Sequence, residues 1–216
     1  MKRAITLLIV AVATGPACRS AAGTSAPPGS SSPAIIQPGA PGEPNRTISR
    51  EAATDLSRVQ ATPADVKFMQ GMIGHHAQAL EMTALIADRT ARDDMKLLGQ
   101  RIAVSQADEI EMMKAWLRVR SQEVPAEHAH HTQEGFMPGM LTAEQMAELG
   151  AAKGPLFDEL FLKGMIQHHA GALTMVDELF KTPGAGQEGD INAFAADVDS
   201  DQRMEINRMR AMLGQK

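Results

Sequence analysis

Two pairs of adjacent histidines, His75-His76 and His168-His169, stand in nearly the same surroundings. The segment Phe68-Met-Gln-Gly-Met-Ile-Gly-His-His-Ala-Gln-Ala-Leu-Glu-Met82 aligns without gaps to Phe161-Leu-Lys-Gly-Met-Ile-Gln-His-His-Ala-Gly-Ala-Leu-Thr-Met175, with ten of fifteen positions identical. Met72 precedes His75 and His76 by three and four residues, and Met165 stands in the same relation to His168 and His169. At helical spacing these side chains are neighbours on one surface. Imidazole serves both oxidation states of copper, and thioether sulfur favours Cu(I). This donor mixture therefore ranks copper before zinc, and zinc before iron.

Weaker repeats follow each copy. Gln106-x-x-Glu109-Ile110-x-x-Met113-x-x-Trp116-Leu117 corresponds to Gln202-x-x-Glu205-Ile206-x-x-Met209-x-x-Met212-Leu213. Projection groups Gln106, Glu109, Met112, Met113 and Trp116 on one face, and Gln202, Glu205, Met209 and Met212 on the other copy. Phe68, Met72, His75, His76 and Ala79 share a face of the first helix, with Gln70, Gln78, Glu81 and Asp88 directed away. The expected metal donors are Met72, His75, His76, Met82, Glu109 and Met113, with Met165, His168, His169, Met175, Glu205 and Met209 in the second copy. A carboxylate or imidazole buried without a partner costs several kcal/mol. Two readings meet that requirement: metal ligation, or a structural layer in which Glu109 and Glu205 accept hydrogen bonds from the histidines and fix helix register. A third cluster, Glu127-His128-Ala-His130-His131 followed by Met137 and Met140, is expected in a loop as an accessory metal site or an adventitious one.

Positioning these residues requires helices. From about Ile48 onward apolar residues recur every three or four positions, which makes the domain all-α. The pattern predicts helices over about 63–89, 93–120, 156–180 and 190–213, with a short one after Thr142 through Leu149. Thr62 and Thr142 act as caps, and Pro63 sits in a first turn. The repeat offset grows from 93 to 96 residues between the first and second helix of each copy, placing three extra residues in the second hairpin loop. Two duplicated helical hairpins thus form a four-helix bundle over 48–216, with a His/Met-rich connector at about 121–155.

The N-terminus reads as an export signal. Lys2-Arg3, the apolar Ala4 to Ala13 and the small-residue site ending at Ala17 describe a signal peptide over 1–17. Cys18, the sole cysteine, stands where a lipoprotein is acylated; simple secretion is the alternative. Residues 18–47 form a Pro/Ser/Gly-rich tether, rich enough in proline to exclude helix and central strand. The expected location is the cell envelope, lipid-anchored at Cys18 or secreted. A net charge of −5 without a basic block argues against a nucleic-acid partner. The expected partners are a metal ion and, through acylated Cys18, the membrane.

The doubled motif, together with Met137-Pro-Gly-Met-Leu-Thr and Phe157-Asp158, resembles an extracytoplasmic Met- and His-rich domain-of-unknown-function family, over about residues 62–214. The resemblance implies a ferritin-like bundle, and CopM-like copper binding for some members. One departure is Met212, where the first half has Trp116. A ferritin-like di-metal oxidase ordinarily needs four carboxylates with Glu-x-x-His on two helices. Only Glu109 and Glu205 are expected on buried faces, so the chain reads as a metal binder rather than an enzyme. The remaining alternative is a non-catalytic envelope protein whose His/Met/Glu layer is structural.

Overall fold

A computed structural model describes residues 33–37, 44–55, 59–126 and 137–214. The signal peptide, Cys18 and the Glu127, His128, His130 and His131 cluster lie outside the described residues. The chain divides into two units between Asp55 and Leu56.

In the first unit, β1 (Ile35–Gln37) pairs antiparallel with β2 (Arg46–Ile48), Ile35 opposite Ile48, and α1 (Arg50–Thr54) follows. The stretch read as a plain tether therefore contains a short hairpin. Pro33 and Pro44 lie outside its strands, and both strands of a two-stranded sheet are edges, which the local proline content tolerates. Ile48, expected to open the helical domain, is a strand residue of this first unit.

The second unit is the bundle. Helix α2 (Pro63–Ala84) is followed by the single turn α3 (Ile86–Arg89) and by α4 (Asp93–Val119); α5 (Ala143–Ala151) precedes α6 (Pro155–Lys181) and α7 (Gly189–Met212). Capping boxes start α2 and α5: the Thr62 and Thr142 hydroxyls accept from the amides of Asp65 and Gln145, whose side chains return bonds to the cap amides. The helix expected to continue to Arg89 breaks at Leu85. The break lets Ile86 pack onto α4, where its Cδ1 lies 2.1 Å from the place a Cβ of Gly99 would occupy, so a larger residue at 99 would make the Ile86 side chain move.

Helix α2 packs on α4, α6 packs on α7, and antiparallel contact between α2 and α6 joins the hairpins. Two apolar clusters result. One gathers Phe68, Met72, Met113 and Leu117 with Met175, Leu179 and Phe194; the other gathers Met82, Leu98 and Ile102 with Phe157, Met165 and Met209. Each such side chain, fully buried, contributes about 1.5–3 kcal/mol through removal from water. No described helix is long and apolar enough to cross a membrane.

Candidate metal centre

The four histidines lie on α2 and α6 in the layer between the two clusters, and all four are buried. Ala79 and Ala172, one turn further along each helix and fully buried, keep the facing surfaces small.

Each ring commits one nitrogen to a fixed acceptor. His76 Nε2 is 2.6 Å from Glu109 Oε2, and His169 Nε2 is 2.7 Å from Glu205 Oε2. His75 Nε2 is 2.9 Å from the Pro138 carbonyl, and His168 Nε2 is 2.8 Å from the carbonyl of His75 itself. The His75 and His168 rings lie against each other, centroids 3.9 Å apart and planes 42° apart. With Nε2–H donating, each neutral ring keeps its lone pair on Nδ1. Among the described residues all four Nδ1 atoms are buried without a hydrogen-bond partner, as are Oε1 of Gln106 and of Gln202. These six atoms form three equivalent pairs under the internal repeat. Gln106 and Gln202 were recognised as sharing the face of the glutamates, but their burial beside unpaired imidazoles is a feature only the packing shows.

The electrostatics favour neutral inner rings. Burial, then the charge of His76, pushes His75 down to about 3 against the hydrogen bond to Pro138. Burial, then its histidine neighbours, lowers His168 well below the usual range. Burial pushes Glu109 upward, but hydrogen bonds and charge from His76 and a hydrogen bond from the Ser105 hydroxyl hold it below the ordinary carboxylate value. Glu205 has a different neighbour, Arg101, whose Nε is 3.6 Å from its Oε1.

Buried methionines flank the layer in two sets. Met72, Met113 and Met175 belong to one cluster, Met82, Met165 and Met209 to the other. The sets correspond under the repeat, and each takes two sulfurs from one hairpin and one from its partner. The exchanged methionines reach the glycine of each motif. A Cβ on Gly71 would sit 3.4 Å from Met175 Cε, and one on Gly164 would sit 3.3 Å from Met82 Cε, so each glycine receives the opposite hairpin's methionine.

The connector lies across both inner helices. Gln78, expected to point outward, is buried: its amide donates to the Leu141 carbonyl at 2.9 Å and its oxygen accepts from the Leu141 amide at 2.8 Å. Helical projection cannot anticipate a cover supplied by residues 63 positions away. Met140 is buried and Met137 half-buried in this segment. Met112, grouped by projection with the inner face, is instead 56% exposed, because its neighbour Met113 takes the core position. Asp65 and Asp158 add two buried carboxylates to the two expected. They serve helix starts: Asp65 accepts from the Thr62 and Gly186 amides, and Asp158 faces Arg92 at 3.7 Å.

Among the described residues, no three His, Cys, Asp or Glu side chains converge as a ready metal cage. The buried methionines of the two clusters are the further soft donors carried by the same four helices. The donor types fit a soft metal, since α2 and α6, which carry the four unpaired Nδ1 atoms, also carry buried methionines of both sets. Glu109 and Glu205 occupy the place of carboxylates that orient a ligating imidazole through its other nitrogen.

The fold and site define a duplicated four-helix bundle whose buried histidines pair with a buried Glu205 and a partly exposed Glu109 and are flanked by thioethers. The chain belongs to the DUF305 family, a domain of unknown function, whose profile matches residues 65–213. It is similar to a DUF305 fragment of Deinococcus radiodurans and to a Streptomyces coelicolor DUF305 protein described as secreted. Each is 30% identical with a TM-score of 0.62 over 71% of this chain, covering 97% and 95% of the respective neighbour. CopM in its Cu(I)-bound form is 25% identical, TM-score 0.55, over 71% of this chain and 96% of CopM. A curated relative, uncharacterized protein L153 of Acanthamoeba polyphaga mimivirus, is 38% identical over 63 residues; the match covers 29% of this chain and 41% of that relative.

Proposed function

We propose that this chain is an extracytoplasmic copper-binding protein that holds Cu(I) through imidazole Nδ1 atoms and buried thioethers, buffering the metal rather than transforming a substrate. The observation that carries this reading is the set of four buried Nδ1 atoms without partners, each on a ring whose other nitrogen is fixed. An unpaired buried polar atom costs about 1–3 kcal/mol, and a duplicated set of them at one level of the bundle is accounted for by a ligand. The copper-bound CopM structure supports the choice of metal; zinc and iron are poorer matches to thioether donors. The signal-like N-terminus and the secreted relative support export, with acylation at Cys18 as the proposed membrane link. His128, His130, His131, Met137 and Met140 are proposed as accessory donors.

The competing reading is a purely structural layer, favoured by the two short His–Glu hydrogen bonds. Chelator-competition titration with Cu(I) under anaerobic conditions separates the two. The wild-type chain is expected to hold Cu(I) against the chelator. Met72→Leu/Met165→Leu, which preserves apolar volume, is expected to weaken binding at least tenfold, and His76→Gln/His169→Gln more. Unchanged affinity in both variants would leave the layer structural.

A further inference from the structure

The two halves of the layer are equivalent in their histidines and buried methionines but not in what surrounds them. Under the repeat Arg101 corresponds to Asp197, and Ser105 to Asp201. The Arg101 guanidinium, half-exposed, reaches Glu205, whose side chain is only 6% exposed. Glu109, with 15% of its side chain exposed, shares with Asp197 and Asp201 of α7 a cleft of about 210 Å3 that also takes in Met112. Among the described residues neither aspartate forms an ion pair. One half thus closes its carboxylate with a fixed cation; the other presents carboxylates and a thioether to solvent.

The opposite face repeats the contrast. Beside Gly71 the connector places the sulfur of half-buried Met137, 3.4 Å from the position of a Cβ. Beside Gly164 the same connector places Leu141, with Cδ2 at 3.1 Å. Hence the half containing Met72, Met113 and Met175 has a second thioether on each face, exposed Met112 and half-buried Met137, and the half containing Met82, Met165 and Met209 has Arg101 and Leu141.

Resting on the metal-binding reading above, we infer that the halves have diverged into a first-loading and a late-loading site for a soft monovalent cation. The cation loads first beside His76 among Met72, Met113 and Met175. Arg101 is the specificity-determining residue of the other half: its fixed charge beside Glu205 opposes entry of a second cation near His169. Negative potential in a cleft raises local cation concentration, and a fixed positive charge lowers it.

The test uses silver nitrate as a redox-inert soft cation and the mature chain labelled with methyl-13C methionine, its signals assigned by single Met→Leu variants. The first equivalent of Ag(I) is expected to shift the Met72, Met113 and Met175 methyls, with the Met82, Met165 and Met209 methyls following only as more is added. Arg101→Gln, a change at a half-exposed side chain, is expected to make the two sets load together. Asp197→Arg is expected to delay the first set. Parallel loading in the wild type, or a loading order unaffected by Arg101→Gln, would overturn the divergence while leaving metal binding intact. If neither methionine nor histidine signals respond to Ag(I), the metal-binding reading fails and this inference with it.

Discussion

The first hairpin, α2 with α4, and the second, α6 with α7, have the same His-His motif but meet the connector in opposite ways. At position 78 the first has a glutamine whose side chain pairs with both backbone groups of Leu141. At the equivalent position 171 the second has a glycine, and a Cβ there would lie 1.8 Å from the Pro138 carbonyl oxygen. One helix holds the strap with a side chain; the other makes room for its backbone. The strap in turn supplies the carbonyl that orients His75, whereas His168 uses the carbonyl of His75. Duplication supplies two equal sets of donors, and a single connector passing over them cannot treat both alike.

The largest expected effect comes from erasing that difference. Gly171→Gln, which installs the first hairpin's residue in the second, cannot be accommodated without displacing Pro138 and Gly139. Overpacking against backbone is expected to cost about 3 kcal/mol, read as a lower urea midpoint. The reverse exchange, Gln78→Gly, leaves the Leu141 amide and carbonyl unpaired and adds a helix-interior glycine, for a loss of about 3 kcal/mol. If both exchanges are tolerated equally, the strap does not distinguish the hairpins.

Acid is expected to act next, through the inner rings common to both. His75 is lowered to about 3 and His168 also lies well below its ordinary value. The unfolded chain therefore takes up protons near pH 6.5 that the folded chain refuses. Their contribution to stability is complete above about pH 6.5 and is lost as the pH falls below it, by about 1.4 kcal/mol per pH unit for each ring, with the loss for His75 ending at about pH 3. Glu109, also lowered, adds a loss below its ordinary carboxylate value. Urea melts at pH 7, 6 and 5 measure the slope; a flat profile would mean that these rings are not buried as neutral species.

A smaller effect separates the outer ends. Trp116 donates from Nε1 to Glu188 at 3.3 Å and lies under the Arg120 guanidinium at 4.2 Å; the second half has the partly buried Met212 in its place. Trp116→Met is expected to cost about 2 kcal/mol through lost ring burial, hydrogen bond and cation–π contact. Met212→Leu is expected to change stability by less than about 1 kcal/mol. Thermal unfolding of the two variants gives the comparison directly.

Much of this architecture is legible in periodicity. Apart from the early end of α2 at Ala84, the long helices begin and end within about one residue of the spacing-based expectation, since Thr62, Pro63 and Thr142 act locally and the apolar stripes are strong. Helical projection brings His75, His76, His168 and His169 to the inner face and selects Glu109 and Glu205 as their partners. It misses what depends on distant chain. Gln78 is buried where the connector pairs with it through Leu141, and Met112 is exposed while its neighbour Met113 takes the core position. The exchange of Met82 and Met175 between hairpins is invisible to any analysis of one helix at a time. The close packing of Ile86 beside Gly99 on another helix accompanies the break at Leu85, and the role of Arg101 appears only when its contact with Glu205 is set against its repeat counterpart, Asp197.

The central claim is that the duplicated histidines serve as Nδ1 ligands while their Nε2 protons stay on protein acceptors. Long-range 1H–15N correlation of the histidine side chains, recorded before and after one equivalent of Cu(I) is added anaerobically, tests it directly. The account predicts that the Nδ1 resonance of His76 moves markedly while its Nε2 remains protonated and bonded to Glu109. Loss of the Nε2 proton, or Nδ1 resonances unchanged in all four rings at full copper occupancy, would contradict it.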